Sequence, residues 1–177
     1  LLKGDYLVKG SGFNSWRKVG AAIQAVKVFE SRQVDELIVL DIEATPQGRG
    51  PNIDLIESMA RECFMPLTVG GGVRSVDDIR SLLHVGADKI ALCSEALRRP
   101  EFISEAAEKF GCQCITVSVD VKDGKVMSRC GTAETGLDPV EWACRAAELG
   151  AGEILLNSVE RDGTLRGYDL PLIRAVS

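Results

Sequence analysis

Short continuous aliphatic runs alternate with amphipathic stretches along the whole chain. The runs Leu37–Asp41, Leu67–Val69, Lys89–Cys93, Ile115–Asp120 and Glu153–Asn157 are predicted strands. Runs of this kind, without in/out alternation, suit parallel strands covered by helices on their outer face. Between them the apolar positions recur with helical spacing. Helices are expected over Val19–Ser31, Asn52–Cys63, Ser75–Val85, Pro100–Phe110, Asp138–Leu149 and Leu170–Val176. Their ends carry the matching signals. Ser75 followed by Asp78 is a partial capping box. Asp138-Pro139 opens a helix that Gly150 closes, and Gly111 closes the one before it.

Repeated strand–helix units imply an α/β fold with parallel strands. The polar residues sit asymmetrically about the strands. Asp41, Gly70–Gly72, Ser94, Asp120 and Ser158 each fall at or just after the C-terminal end of a run. That placement is expected of a (βα)8 TIM barrel, whose chemistry gathers at the strand C-termini. Val34–Ile42 also echoes Ala151–Val159, as a half-barrel duplication would. A closed barrel typically needs about 250 residues. The chain is therefore expected to form one domain over 1–177, a truncated barrel covering roughly strands 1 to 6. Its open edge would call for cover, most simply by a second copy in a homo-oligomer.

Composition narrows the function classes. A net charge of -5 and a 45% hydrophobic content describe an ordinary globular chain and argue against nucleic-acid binding. No apolar run approaches the length of a membrane span, and Lys3, Asp5 and Lys9 break the start as a signal peptide. The six cysteines form no Cys-x-x-Cys pair, and His84 is the single histidine, so no metal site is expected. The cysteines are read as reduced thiols of a cytoplasmic protein, and His84 as a structural or surface residue.

Four clusters carry candidate chemistry. Gly70, Gly71 and Gly72, between a strand and a helix, suit a phosphate held by backbone N–H groups, with Ser94 as an added hydroxyl. The alternative is a tight turn. Asp120 is a candidate for proton transfer at a strand end, and Asp41 is either a second such group or a loop cap. Ser158–Thr164 forms a polar loop in which Asp162 and Thr164 could face the same mouth. Glu36, Lys89 and Glu153 open three strands at the opposite end, where an ion-pair network is the plain reading.

Several segments resemble a known family. They are Val34–Ile42, Leu67-Thr-Val-Gly-Gly-Gly-Val-Arg74, Gly86-Ala-Asp-Lys89 and the run from Gly150 through Glu153-Ile-Leu-Leu-Asn157 to Asp162-Gly-Thr164, with a later Gly167-Tyr-Asp169. Together they resemble the cyclase subunit of imidazole glycerol phosphate synthase (HisF) over almost the whole chain. Leu1–Gly10, Cys63–Pro66 and Gly136–Pro139 resemble a HisF-like branch linked to acetamidino-sugar and surface-polysaccharide pathways. The resemblance implies a lyase that joins ammonia from a glutamine amidotransferase partner to a doubly phosphorylated ribotide, with no cofactor. It places one proton-transfer aspartate on Asp120 and the other on Leu1. It assigns the first phosphate to Gly72 and Ser94, with Cys93 where the family commonly has Asn. The second phosphate belongs to strands 7 and 8, outside the segments matched. Lys9 matches a mobile loop over the substrate, and Asp162 and Thr164 match the sixth loop. Lys89, Glu36 and Glu153 match the gate of an ammonia channel, and Asp88 a position facing the glutaminase. The alternatives are an ammonia-delivery subunit for sugar amidination, or an inactive barrel fragment serving as an assembly module.

Overall fold

The computed structural model describes residues 1–177. The chain divides into two compact units. One comprises Leu1–Val8 with Lys18–Leu92, the other Lys9–Arg17 with Cys93–Ser177.

The first unit is built on strands β4 (Leu37–Leu40), β5 (Leu67–Gly70) and β6 (Lys89–Leu92), paired in parallel in that order. Helix α1 (Ala22–Ser31) leads into β4, and α2 (Ile53–Ala60) and α3 (Val76–His84) connect the strands in turn. Val39, Leu67, Val69, Ile90 and Leu92 are buried, as are Val26, Ile56, Met59, Ile79 and Leu82 on the helices. The core is thus the interlock of aliphatic strands with one face of each helix. The start of α3 is a complete capping box. Ser75 Oγ accepts from Asp78 N at 3.1 Å, while Asp78 Oδ2 accepts from Ser75 N at 2.9 Å.

The second unit centres on β7 (Ile115–Lys122). Strand β10 (Glu153–Ser158) runs parallel to it, with Glu153 opposite Thr116 and Asn157 opposite Asp120. Helices α4 (Ser94–Arg98), α5 (Glu101–Phe110), α6 (Pro139–Glu148) and α7 (Leu170–Val176) belong to this unit. Phe102, Ile103, Ala106, Trp142, Ala143 and Ala146 bury the helix faces, and Ile115, Val117 and Val119 supply the strand side. Asp138 caps α6 by accepting from Val140 N and Glu141 N. No helix of the chain is long and apolar enough to cross a membrane.

Three features depart from the expected elements. Residues 19–21, expected as the first turn of a helix, close strand β3 (Asn14–Ala21) instead. That strand neighbours β2 (Tyr6–Ser11) across Gly12 and Phe13, both at positive φ, as a tight hairpin turn requires. Strand β1 (Leu2–Lys3) pairs antiparallel with β2, and Leu2 makes a parallel bridge to Asp41. A second hairpin joins β7 to β8 (Lys125–Ser128), with β9 (Ala133–Glu134) beyond it. Its turn, Asp123-Gly124, is a strong hairpin signal that the strand reading of 115–120 stopped short of. Helix α4 is only five residues long, too short for apolar periodicity to reveal.

Candidate functional site

Successive residues of a strand point to opposite faces. In β7, Ile115, Val117, Val119 and Val121 form one face, and Thr116, Ser118 and Asp120 the other. All are buried, and Asp120 is only 6% exposed. A polar column therefore lies on one side of this strand. At its start Thr116 Oγ1 donates to Glu153 Oε2 at 3.4 Å. At its C-terminal end stands Asp120, whose two oxygens have different surroundings. Oδ1 accepts from Asn157 Nδ2 at 2.8 Å and from Ser118 Oγ at 3.2 Å. Oδ2 faces the Cys93 thiol, whose Sγ lies 3.8 Å away. Asn157 Nδ2 also reaches Ser118 Oγ at 3.3 Å, so the three side chains form one network.

Burial raises the pKa of the Asp120 carboxyl from its ordinary value, and the charge of Asp162 raises it further. Hydrogen bonds from Asn157, Ser118 and Cys93 work in the opposite direction. Burial wins because an ion loses more by leaving water than these neutral donors return. The Cys93 thiol is also pushed well up, by burial and then by the adjacent Asp120. It stands beside the carboxylate as a neutral S–H donor, not a nucleophile.

The loop after β10 is tied to that end of β7 by Val159 N, which donates to Val121 O at 2.9 Å. The backbone carbonyl of Asp162 accepts from Gly12 N at 2.9 Å, and Gly163 packs directly on the carbonyl of Gly10. The tip of the β2–β3 hairpin is thereby seated on the loop after β10, and Lys9 next to that tip is exposed. Thr164 Oγ1 donates to Arg161 O at 2.8 Å, which commits the hydroxyl proton within its own loop. Ser94 Oγ accepts from Arg129 N at 3.1 Å, so this hydroxyl ties the start of α4 to the turn after β8.

In the first unit the glycine loop follows β5. Gly71 and Gly72 adopt φ of +107° and +75°. A side chain at Gly71 would overlap the carbonyl of Asp41, and one at Gly72 would lie 2.7 Å from the carbonyl of Arg49. The loop after β4 therefore packs onto the glycines, and a tight turn here requires residues without a side chain. Asp78 already accepts from Arg74 N and Ser75 N, at 3.0 and 2.9 Å. An anion would have to use the glycine N–H groups rather than the first turn of α3. Asp41 acts as a loop cap. Its Oδ1 accepts from Glu43 N and Ala44 N, and its Oδ2 pairs with Arg49 at 2.7 Å. Of the two roles open to it, this geometry takes capping.

At the opposite end of the first unit, Lys89 Nζ lies 3.2 Å from both oxygens of Glu36. Glu36 Oε1 also accepts from Thr68 Oγ1 at 2.7 Å. Asp88 Oδ2 accepts from Leu67 N at 2.8 Å and secures the entry to β5. Lys89, Glu36 and Glu153 thus each engage polar partners at strand starts. No three His, Cys, Asp or Glu side chains stand together in a way that could hold a metal ion.

Ser118 and Asn157 were not singled out from the sequence. For Ser118 the signal is the period-two pattern Thr116, Ser118, Asp120, hidden inside an apolar run; for Asn157 it is the polar residue that ends the run Glu153–Asn157.

A family profile described as Histidine biosynthesis protein matches residues 2–177. The chain belongs to this family of histidine biosynthesis proteins, and its α/β architecture is a partial (βα)8 barrel.

Proposed function

We propose that the chain is a HisF-type cyclase subunit that uses ammonia from a glutamine amidotransferase partner to build imidazole glycerol phosphate from a phosphorylated ribotide. Family membership points to a barrel enzyme acting on a small phosphorylated substrate. The observation that carries the finer reading is Asp120. A carboxyl at the C-terminal end of a barrel strand, buried and biased toward its protonated form, is suited to give a proton to a substrate and take one back. In this reading the glycine N–H groups of Gly70–Gly72 in the first unit are a phosphate site, and, within the second unit, Ser94, Asp162 and Thr164 shape the loops around the substrate at Asp120. Lys9 reaches over it from the hairpin. The pair Lys89–Glu36 in the first unit, and separately Glu153 beside Thr116 in the second, are charged strand starts of the kind an ammonia entrance needs.

The test is to combine the chain with a glutaminase partner, glutamine and the ribotide, and to follow imidazole glycerol phosphate. Turnover is expected, and Asp120→Asn should lower it by about 10²–10⁴-fold, the usual worth of a positioned proton-transfer group. Turnover no greater than in buffer, or full activity in the variant, overturns the reading.

One observation favours a second reading. By the resemblance, the family's other proton-transfer aspartate falls on Leu1, which cannot move a proton. Ammonia delivery for sugar amidination would need the entrance and the partner but not both carboxylates. Stimulation of the glutaminase by the chain with no ribotide present, and no cyclised product when ribotide is added, would select this second reading.

A further inference from the structure

The two oxygens of Asp120 are not equivalent, and the difference is built by residues on two strands. Oδ1 receives Asn157 Nδ2 from β10 at 2.8 Å and Ser118 Oγ from β7 at 3.2 Å. The parallel register that sets Asn157 opposite Asp120 fixes the first contact, and the two-residue spacing along one strand face fixes the second. Oδ2 has only the thiol of Cys93, at 3.8 Å. A carboxylic acid places its proton on the oxygen that accepts fewer hydrogen bonds, because an O–H oxygen is a poorer acceptor than a carbonyl oxygen. We propose that Asn157 and Ser118 are positioning residues that hold Oδ1 of Asp120 as the proton-free acceptor, so that Oδ2, on the Cys93 side, carries and transfers the proton.

The step is simple in its balance. The Oδ2–H bond breaks, the proton passes to a basic atom of the substrate, and the electron pair stays on the carboxylate. The resulting charge is stabilised at Oδ1 by the Asn157 and Ser118 donors already in place, without reorganisation. Oδ2 regains a proton from water or from the substrate at a later step. The groups facing this carboxylate are Ser118 from its own strand, Asn157 from β10, Cys93 at the start of α4 and the charge of Asp162 from the loop after β10. Of these, only Asn157 and Ser118 give close hydrogen bonds to the carboxylate, so they should dominate its response to substitution.

The inference rests on Asp120 as the proton-transfer group of the cyclase reading, but its first test needs no substrate. The carboxyl carbon of Asp120 in the full chain is followed by ¹³C NMR across pH, assigned by its loss in Asp120→Asn. Ser118→Ala and Asn157→Leu should each move the titration up by about one pH unit, as expected for one lost hydrogen bond to a charged group. Ser118→Thr, which keeps the hydroxyl, should restore the original midpoint. A purely structural role would lower the melting temperature and leave the titration unmoved. An unmoved midpoint in both Ser118→Ala and Asn157→Leu overturns the proposal, whichever of the two folds better. In turnover, the pH limb set by Asp120 should shift with the NMR midpoint. A shifted NMR midpoint in a chain with no turnover still supports the positioning role, and counts against the cyclase reading alone.

Discussion

At the scale of single residues, folding makes the Asp120 carboxyl harder to ionise. Its folded-state value lies above the unfolded one, near 3.9 for an ordinary aspartate. The stabilising contribution of protonated Asp120 is therefore complete below about pH 3.9, and is lost as pH rises through the folded value. Asp120→Asn removes that titration while keeping an acceptor for Asn157 and Ser118. Its melting temperature relative to the unmodified chain should be higher at pH 8 than at pH 4. Thermal scans at the two pH values check this; an equal difference at both would show that ionisation of Asp120 costs the fold nothing. Asp120 itself was legible in the sequence because it ends an apolar run where a barrel keeps its chemistry. Its partners were not. Thr116, Ser118 and Asn157 are small or neutral, and three residues of alternation vanish inside a strand whose other face is all Ile and Val. Asp41 shows the converse difficulty. It occupies the equivalent place at the end of β4, and only the positions of Glu43 N, Ala44 N and Arg49 reveal it as a cap.

At the scale of elements, capping and glycine geometry set how the strand ends are held. Ser75→Ala removes one half of the capping box of α3 and should cost about 1 kcal/mol. For a chain of this size that is a fall of roughly 2–4 °C in melting temperature. Gly71→Ala is a harsher change. It forces a side chain into φ +107° and against the Asp41 carbonyl, where strain alone costs on the order of 1–3 kcal/mol. Its melting temperature should fall further than that of Ser75→Ala, in the same thermal scan. Equal falls would mean that the loop after β4 yields easily and that the glycine is needed for something other than packing. The strands and most helices followed from periodicity and end signals, because buried parallel strands and one-sided helices leave strong patterns. The two hairpins did not. Residues 14–21 are mostly exposed and mix Trp16, Arg17 and Lys18 with small residues, so no burial pattern marks them as a strand. Their form is dictated by the turn at Gly12–Phe13 and by the seating of the tip on Asp162 and Gly163, contacts distant in sequence.

At the scale of the whole molecule, the rhythm of strand and helix was sufficient to reach the partial barrel, and the family match runs over residues 2–177. The partner is the part of the proposed function that sequence and fold specify least, and the charged strand starts make it testable. Lys89 is an ammonium held by Glu36, and Glu36 also accepts from Thr68 on the neighbouring strand. If ammonia released by a glutaminase enters here, replacing that ammonium should affect delivery more than chemistry. With Lys89→Leu, turnover driven by glutamine and the partner should fall by a larger factor than turnover driven by added ammonium salt. The comparison is internal, since the same variant and the same ribotide are used in both assays, and any loss of fold lowers both rates together. Equal losses would place Lys89 outside the route of ammonia and return it to the plainer role of an ion pair that steadies the start of β6. A larger loss with added ammonium than with glutamine would be harder on the proposal, because it would put the charge on the side of the chemistry rather than the supply.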